Sequence, residues 1–141
     1  MKTIIIDSSV IAKWLNQENE EHIEQADKIL QDVKDGKIQL IAPELAKYEV
    51  GNVLLISKKL TTVEAAVSLK ALYSLPTIFI VDSKELAAET YLQAHKYGIT
   101  YYDASFISLA KKYNAVLVTA NTKHQAKSSD IKIVSLQDYP L

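Results

Sequence analysis

The sequence predicts a single three-layer α/β/α domain built on a parallel sheet. Its 141 residues are enough for one domain with a substantial core. Along the chain, short β-branched apolar runs alternate with longer stretches that have the helical period. The predicted strands are apolar throughout, which is typical of parallel strands that helices bury on both faces. We therefore treat residues 1–141 as one α/β domain.

The first strand and the first two helices are predicted in the N-terminal quarter of the chain. Lys2–Ile6 is a β-branched run of the kind found in buried strands, and Asp7-Ser8-Ser9 after it is a helix-start signal. A short helix is expected over residues 10–15. Residues 18–35 have apolar side chains at helical spacing and an acidic outer face, and Gly36 is expected to end that helix.

A strand and two helices are predicted next. Residues 38–42 form the second strand, and Pro43 is expected at the first position of a helix that runs to about Lys59. Thr61 and Glu64 match the pattern of a capping box for a helix that continues to Ser74.

The C-terminal half repeats the alternation of strand and helix. Residues 77–81 are a third strand, and Asp82 and Glu85 match a second capping-box pattern for a helix that Gly98 ends. The remaining predicted elements are a helix from Thr100 to Lys112, a strand at 115–119, a polar loop at 121–130 and a last strand at 131–134.

Composition excludes several classes of function. The absence of cysteine removes disulfides and cysteinate metal sites, and the scattered histidines have no zinc-site spacing. All 16 basic residues are lysine and the net charge is −1, so there is no overall basic field for coating a nucleic-acid duplex. The first apolar run is too short for a signal peptide or a membrane span, so we expect a cytoplasmic location and no membrane partner.

Polar residues follow two predicted strands at the sheet edge where doubly wound folds carry their active sites. Asp7 follows the first strand and Asn121 follows the strand at 115–119. The chain has no GxGxxG or GxxxxGK[ST] motif, so this edge offers oxygen ligands rather than a nucleotide cradle. Asp7 is either a helix cap or a metal ligand, and Asn121 is either a turn residue or an uncharged ligand.

Glu49 is the most informative of the acidic residues. At helical spacing it shares a stripe with Leu45, Val53 and Ile56, so its carboxylate is expected in or beside the core-facing side. A buried carboxylate is costly unless it is paired or binds a metal, and the alternative is a rim position where Glu49 reaches water. Asn52, one turn further on, is a candidate to orient Glu49 through a hydrogen bond.

Asp103 lies in the first turn of the helix that begins at Thr100, where the helix dipole favours an ionised carboxylate. It is either part of a capping box with Thr100 or a metal ligand. Two other polar residues receive no catalytic role: His124 is interpreted as a surface loop residue and Asp82 as a helix cap.

Together, Asp7, Glu49 and Asp103 indicate a site for a hard divalent cation. Carboxylates brought together repel each other, and a bound cation relieves that repulsion. Oxygen-only ligation favours Mg²⁺ or Mn²⁺ over zinc, and such an ion activates water for attack on a phosphate. Since no nucleophilic cysteine or Ser-His-Asp spacing is present, metal-activated water is the chemistry that the sequence predicts.

These motifs resemble the PIN-domain family, and within it the VapC type of toxin ribonuclease. The order and spacing of the matching segments extend over nearly the whole chain. They are residues 6–14 (Ile-Asp-Ser-Ser-Val-Ile-Ala-Lys-Trp), the Pro…Glu-x-x-Asn helix at 43–54, residues 102–110 running into 117–121, and the closing segment 134–139.

The resemblance implies a parallel sheet of four to five strands in the order 3-2-1-4-5 and an endoribonuclease that depends on Mg²⁺ or Mn²⁺. Asp7, Glu49 and Asp103 take the family's acidic ligand positions, and Ser9 takes its polar position beside them. The resemblance also implies the toxin role of a type II toxin–antitoxin pair, with an RNA substrate and an antitoxin that blocks the site. A homodimer is implied through the helices between Pro43 and Ser74.

One departure from the family keeps other interpretations open. Asn121 stands where the family usually has Asp, and the lost charge would weaken a second metal or the activation of water. The alternatives are a PIN-like module that binds RNA or protein without cutting, and a doubly wound phosphatase. Ser9 counts against an aspartyl-phosphate enzyme, which would have a second Asp there. Candidate RNA contacts are Tyr101, Tyr102, Lys13, Lys123 and Lys127, and a solvated surface position is the favoured alternative for the three lysines.

Overall fold

The computed structural model describes residues 1–121 and 130–140. Within these residues, parallel strands form one five-stranded sheet in the order β3-β2-β1-β4-β5, which confirms the predicted topology. The strands are β1 (Lys2–Ile6), β2 (Ile38–Pro43), β3 (Thr77–Ile80), β4 (Val116–Thr119) and β5 (Ile133–Ser135).

Helices bury both faces of the sheet. Ile4, Ile5 and Ile6 of the central strand β1 are all completely buried, although successive side chains of a strand point to opposite faces. The predicted three-layer arrangement is therefore confirmed. The helices are α1 (Ser8–Leu15), α2 (Ile23–Lys34), α3 (Leu45–Asn52), α4 (Thr62–Leu72), α5 (Lys84–Tyr97) and α6 (Tyr101–Lys112), with a π-helix at Val53–Ser57 and a 3₁₀-helix at Leu136–Asp138.

Several predicted helix ends are confirmed by their capping contacts. Thr61 and Glu64 form both bonds of a capping box, at 3.2 and 2.9 Å. Gly98 ends α5 in the left-handed conformation that favours glycine, with φ of 63°. No helix within residues 1–121 and 130–140 is long and apolar enough to cross a membrane.

The helix predicted over residues 18–35 begins later than expected. α2 starts at Ile23, after His22, whose φ of 58° is left-handed. The preceding turn is fixed by distant side chains instead of helical bonds, since Lys13 and Lys58 donate to the backbone carbonyls of Glu21 and Glu18. A local sequence pattern does not reveal such contacts.

Two predicted helix starts are wrong. Pro43 is the last residue of β2, where it pairs with Ile80, so it does not open a helix. The cap of α5 is Ser83, whose hydroxyl accepts a hydrogen bond from the backbone N–H of Leu86 at 3.1 Å. Asp82 instead accepts from the backbone N–H of Ser83 at 2.9 Å, so the capping box predicted for Asp82 does not form.

The helix predicted from Pro43 to about Lys59 is divided into α3 and the π-helix. Its buried residues are Ala46, Val50 and Leu54, and Glu49 lies half-buried beside them. Ile56, predicted on the core-facing stripe, is 61% exposed because the π-helix changes the spacing after Asn52.

Candidate active site

Asp7 lies at the carboxyl end of β1, between the end of the strand at Ile6 and the start of α1 at Ser8. One carboxylate oxygen, Oδ1, accepts from the backbone N–H of Ser9 at 3.1 Å and from its hydroxyl at 2.5 Å. The other, Oδ2, accepts from the hydroxyl of Thr119 at 2.5 Å. Asp7 is 7% exposed. It is therefore a helix cap and also a carboxylate held rigidly at the active-site edge of the sheet.

The turn after β4 is tied to the same carboxylate. The Thr119 hydroxyl accepts from the backbone N–H of Asn121 at 3.0 Å, and the Ser9 hydroxyl accepts from the backbone N–H of Ala120 at 3.0 Å. Each hydroxyl thus donates to Asp7 and accepts from this turn. The position of Asn121 is consequently coupled to the orientation of Asp7.

Sequence reasoning missed Thr119. It is completely buried at the end of β4, and the register pairs Ile6 of β1 with Val118, which puts Thr119 beside Asp7. The sequence feature that could have indicated it is the hydroxyl residue at the end of the otherwise apolar strand β4. Its significance depends on β1 and β4 being neighbours, which a single strand pattern does not reveal.

Glu49 on α3 supplies a second carboxylate, and only part of its hydrogen-bonding capacity is satisfied. Ser8 forms a hydrogen bond to its carboxyl group, but Oε1 is buried with no hydrogen-bond partner in the described part of the chain. Burial raises the pKa of Glu49, and the nearby charges of Asp7 and Asp103 raise it further. The Glu49 carboxylate therefore lies beside the core-facing side of its helix with one buried oxygen that lacks a hydrogen bond in the described residues.

Burial also raises the pKa of Asp7, because its effect outweighs the hydrogen bonds from Ser9 and Thr119. Asp103 is positioned by the cap of α6, where the Thr100 hydroxyl accepts from the Asp103 backbone N–H at 3.0 Å. The expected N-cap at Thr100 is confirmed, and Asp103 lies close enough to Glu49 to raise the pKa of that residue.

One cleft of about 360 Å³ brings the predicted site residues together. Asn52 lies outside it, on the exposed side of α3, and lines a neighbouring groove together with Glu49, so its orienting role stays a prediction. Lys123, His124 and Lys127 fall outside the described residues. The residues lining the cleft are Asp7, Ser8, Ser9, Glu49, Thr100, Tyr102, Asp103, Phe106 and Asn121.

The cleft fits a hard divalent cation by its donor chemistry. Asp7, Glu49 and Asp103 supply carboxylate oxygens, and the unpaired buried Oε1 of Glu49 has the free lone pairs of a ligand. Within residues 1–121 and 130–140, no three acidic or histidine side chains already meet at ligand spacing. The carboxylates therefore surround the cleft without forming a closed ligand set.

Comparison with known proteins identifies the family. The model of the PIN domain matches residues 4–130. The chain belongs to the PIN-domain family. A relative described as ribonuclease VapC3, from Pyrobaculum aerophilum, is 30% identical over 123 residues that cover 84% of this chain and 88% of that protein.

Solved structures share this PIN fold at low sequence identity. VapBC2 from Rickettsia felis, bound to a promoter DNA fragment, matches with a TM-score of 0.69 at 14% identity, covering 94% of this chain and 98% of that chain. VapC20 from Mycobacterium tuberculosis, described as a sarcin-ricin loop cleaving toxin, matches with a TM-score of 0.64 at 11% identity, over 92% and 98% of the two chains. These likenesses establish the fold.

Proposed function

We propose that this PIN domain is an endoribonuclease that depends on Mg²⁺ or Mn²⁺ and acts as the toxin of a type II toxin–antitoxin pair. The observation that carries the proposal is the cleft lined by Asp7, Glu49 and Asp103, in which Glu49 has a buried carboxylate oxygen without a hydrogen-bond partner in the described residues. The name ribonuclease VapC3 of the relative from Pyrobaculum aerophilum supports an RNA substrate.

Each site residue has a distinct task in this proposal. Asp7, Glu49 and Asp103 hold the cation, which when bound activates a water molecule and neutralises charge on the phosphodiester. Ser9 and Thr119 fix the orientation of the Asp7 carboxylate through their hydroxyls. Asn121 presents a neutral amide where a fourth carboxylate would add charge.

We further propose that the protein works in the cytoplasm and is blocked there by a cognate antitoxin. Structures with this fold include a toxin–antitoxin complex from Klebsiella pneumoniae. The helices between Pro43 and Ser74 are proposed to form a homodimer, because they carry exposed apolar side chains that a partner surface would bury. These side chains are Tyr48, Leu55, Ile56, Val63, Val67 and Tyr73.

A second candidate function is a PIN module that binds RNA or protein without cutting. The neutral Asn121 favours it, because one fewer negative ligand lowers the affinity for a cation. The backbone of the turn that holds Asn121 is nevertheless bonded to Ser9 and Thr119, and Asn121 lines the same cleft as the carboxylates.

The deciding experiment incubates the protein, freed of any antitoxin, with mixed RNA in Mg²⁺, in Mn²⁺ and in EDTA. An Asp7→Asn/Asp103→Asn double variant is tested beside Asp27→Asn, a matched control on the exposed side of α2. Cleavage that needs the metal and is lost only in the double variant supports the nuclease. No cleavage by folded protein in any arm overturns it in favour of the non-cutting module.

A further inference from the structure

A second cleft, of about 430 Å³, adjoins the carboxylate cleft. Ser9 and Asn121 line both, so the two clefts meet at the residues that flank Asp7. The second cleft has the volume of pockets that hold small ligands. Its remaining walls come from α1, the connection between α1 and α2, the π-helix with the following residue Lys58, and Ala120 of the turn after β4.

The wall of this second cleft carries two lysines that share one carboxylate. Lys13 is 5% exposed, and its ammonium donates to Glu20 Oε2 at 3.2 Å and to the Glu21 carbonyl at 2.8 Å. The Lys58 ammonium lies 3.5 Å from Glu20 Oε1 and donates to the Glu18 carbonyl. The three groups in mutual contact, Lys13, Lys58 and Glu20, carry two positive charges and one negative charge, a net charge of +1. Glu18, a second acidic residue, also lines the cleft.

The ammonium groups keep donor capacity for a ligand. An ammonium has three N–H donors. Lys13 donates two hydrogen bonds and Lys58 donates one, while Lys58 contacts Glu20 as an ion pair. Their shared partner Glu20 holds both groups at the cleft wall, which reduces the side-chain entropy lost when a ligand binds. A phosphodiester, with one negative charge and several acceptor oxygens, complements this arrangement.

A purely structural role is the competing interpretation, since the same contacts fasten the connection between α1 and α2. A single ion pair would serve that purpose with balanced charge. Here a second ammonium group shares the same carboxylate, and both lysines line the cleft that adjoins the acidic site, in a chain whose net charge is −1. Grooves that hold single-stranded nucleic acid use local positive charge to track the backbone.

We propose that Lys13 and Lys58 bind a backbone phosphate of single-stranded RNA, adjacent to the phosphodiester held in the carboxylate cleft. Glu20 is the positioning residue that holds both ammonium groups at the cleft wall and limits their affinity for a phosphate. The inference rests on the proposed function for its substrate class, but binding at this subsite needs no metal.

The test measures binding of a short, fluorescein-labelled single-stranded RNA of mixed sequence by anisotropy, in EDTA, across a range of salt. Lys58→Gln is expected to weaken binding about five- to tenfold and to reduce the salt slope by about 0.7. Lys58→Arg should retain binding because it keeps the charge. Lys34→Gln, on the exposed end of α2, is the matched control and should bind like the parent.

Glu20→Gln separates the binding role from the structural one. It raises the charge of the cluster from +1 to +2, so RNA should bind about threefold tighter or more, even where the melting temperature falls. If the cluster only fastens the connection between α1 and α2, Glu20→Gln should weaken RNA binding instead. Unchanged binding in Lys58→Gln, weaker binding in Glu20→Gln, or no binding by the parent overturns the proposal.

An oligoglutamate peptide serves as the competing ligand, because an acidic protein segment is the other partner with suitable charge. Binding of this peptide as tightly as RNA, with equal loss in Lys58→Gln, overturns the assignment to RNA. Parent protein that binds RNA through Lys58 but never cuts it overturns the nuclease alone. Parent protein that cuts RNA while Lys58→Gln binds normally overturns this subsite alone.

Discussion

Glu49→Gln tests the electrostatic description of the active site through stability. The change keeps the size of the side chain and removes one charge from a group whose Oε1 is buried without a hydrogen-bond partner. An unsatisfied buried polar group costs about 1–3 kcal/mol, and more when it is charged. Part of that cost persists with the amide. We therefore expect Glu49→Gln to raise the free energy of unfolding of the metal-free protein by about 1 kcal/mol, which is about 3 °C in melting temperature.

The effect has a defined pH dependence. Folding raises the pKa of Glu49, first by burial and then through Asp7 and Asp103, so the folded state favours the protonated form. This favourable contribution is fully present below the ordinary pKa of 4.5 and is lost as the pH rises through the raised value. The advantage of Glu49→Gln should therefore be clear at neutral pH and absent below the ordinary pKa.

Thermal melts with Mn²⁺ complete the assay. A cation at a hundredfold excess over its dissociation constant stabilises the parent by about 2.7 kcal/mol, and Glu49→Gln should lose most of that gain. Glu24→Gln, exposed on α2, is the matched control. A melting temperature that falls on Glu49→Gln substitution at neutral pH in EDTA would refute the description of Glu49 as an uncompensated charge.

Four further outcomes are expected. Thr119→Val, which removes the hydroxyl donor to Asp7, should lower the rate of RNA cleavage about tenfold or more, whereas Thr119→Ser should retain it; equal rates would contradict the orienting role. Asn121→Asp should tighten Mn²⁺ binding about tenfold in calorimetry, because it adds a negative ligand. Tyr139→Phe removes the hydroxyl that donates to Asp32 Oδ2 at 2.6 Å, and it should lower the free energy of unfolding by about 1–3 kcal/mol in denaturant melts. Hydrogen bonds from Lys28 and then Tyr139 lower the pKa of Asp32, so this loss of stability should fade as the pH falls through that lowered pKa. Leu55→Glu on the π-helix should leave a monomer in sedimentation, and an unchanged mass would contradict the proposed dimer face.

The strands and the sheet were predictable because buried parallel strands leave a continuous apolar signal. Asp7, Glu49, Asp103 and Asn121 were predictable as a group because their neighbours place them at one sheet edge or on one helix stripe. The structure brings all four to the same cleft, and their role as ligands remains a prediction.

The errors arise where long-range contacts decide local structure. Pro43 follows its neighbours into β2 because Ile80 pairs with it, and no sequence-local signal contains that pairing. The late start of α2 depends on Lys13 and Lys58, and Lys58 is 40 residues away from its acceptor Glu18. Thr119 was missed for the same reason, since its partner Asp7 is 112 residues distant.

The π-helix at Val53–Ser57 sets the angle at which Glu49 and Lys58 project from one helical segment. A π-turn adds one residue to a helical turn, which rotates everything after it by about 100° relative to an uninterrupted α-helix. Without it, Lys58 would project about 180° around the axis from Glu49, but with it the angle is about 80°. One continuous helical rod can therefore present an anionic side chain to the first cleft and a cationic one to the second. Deleting a single residue from that turn would separate the two surfaces while leaving every side chain in the chain's active site intact.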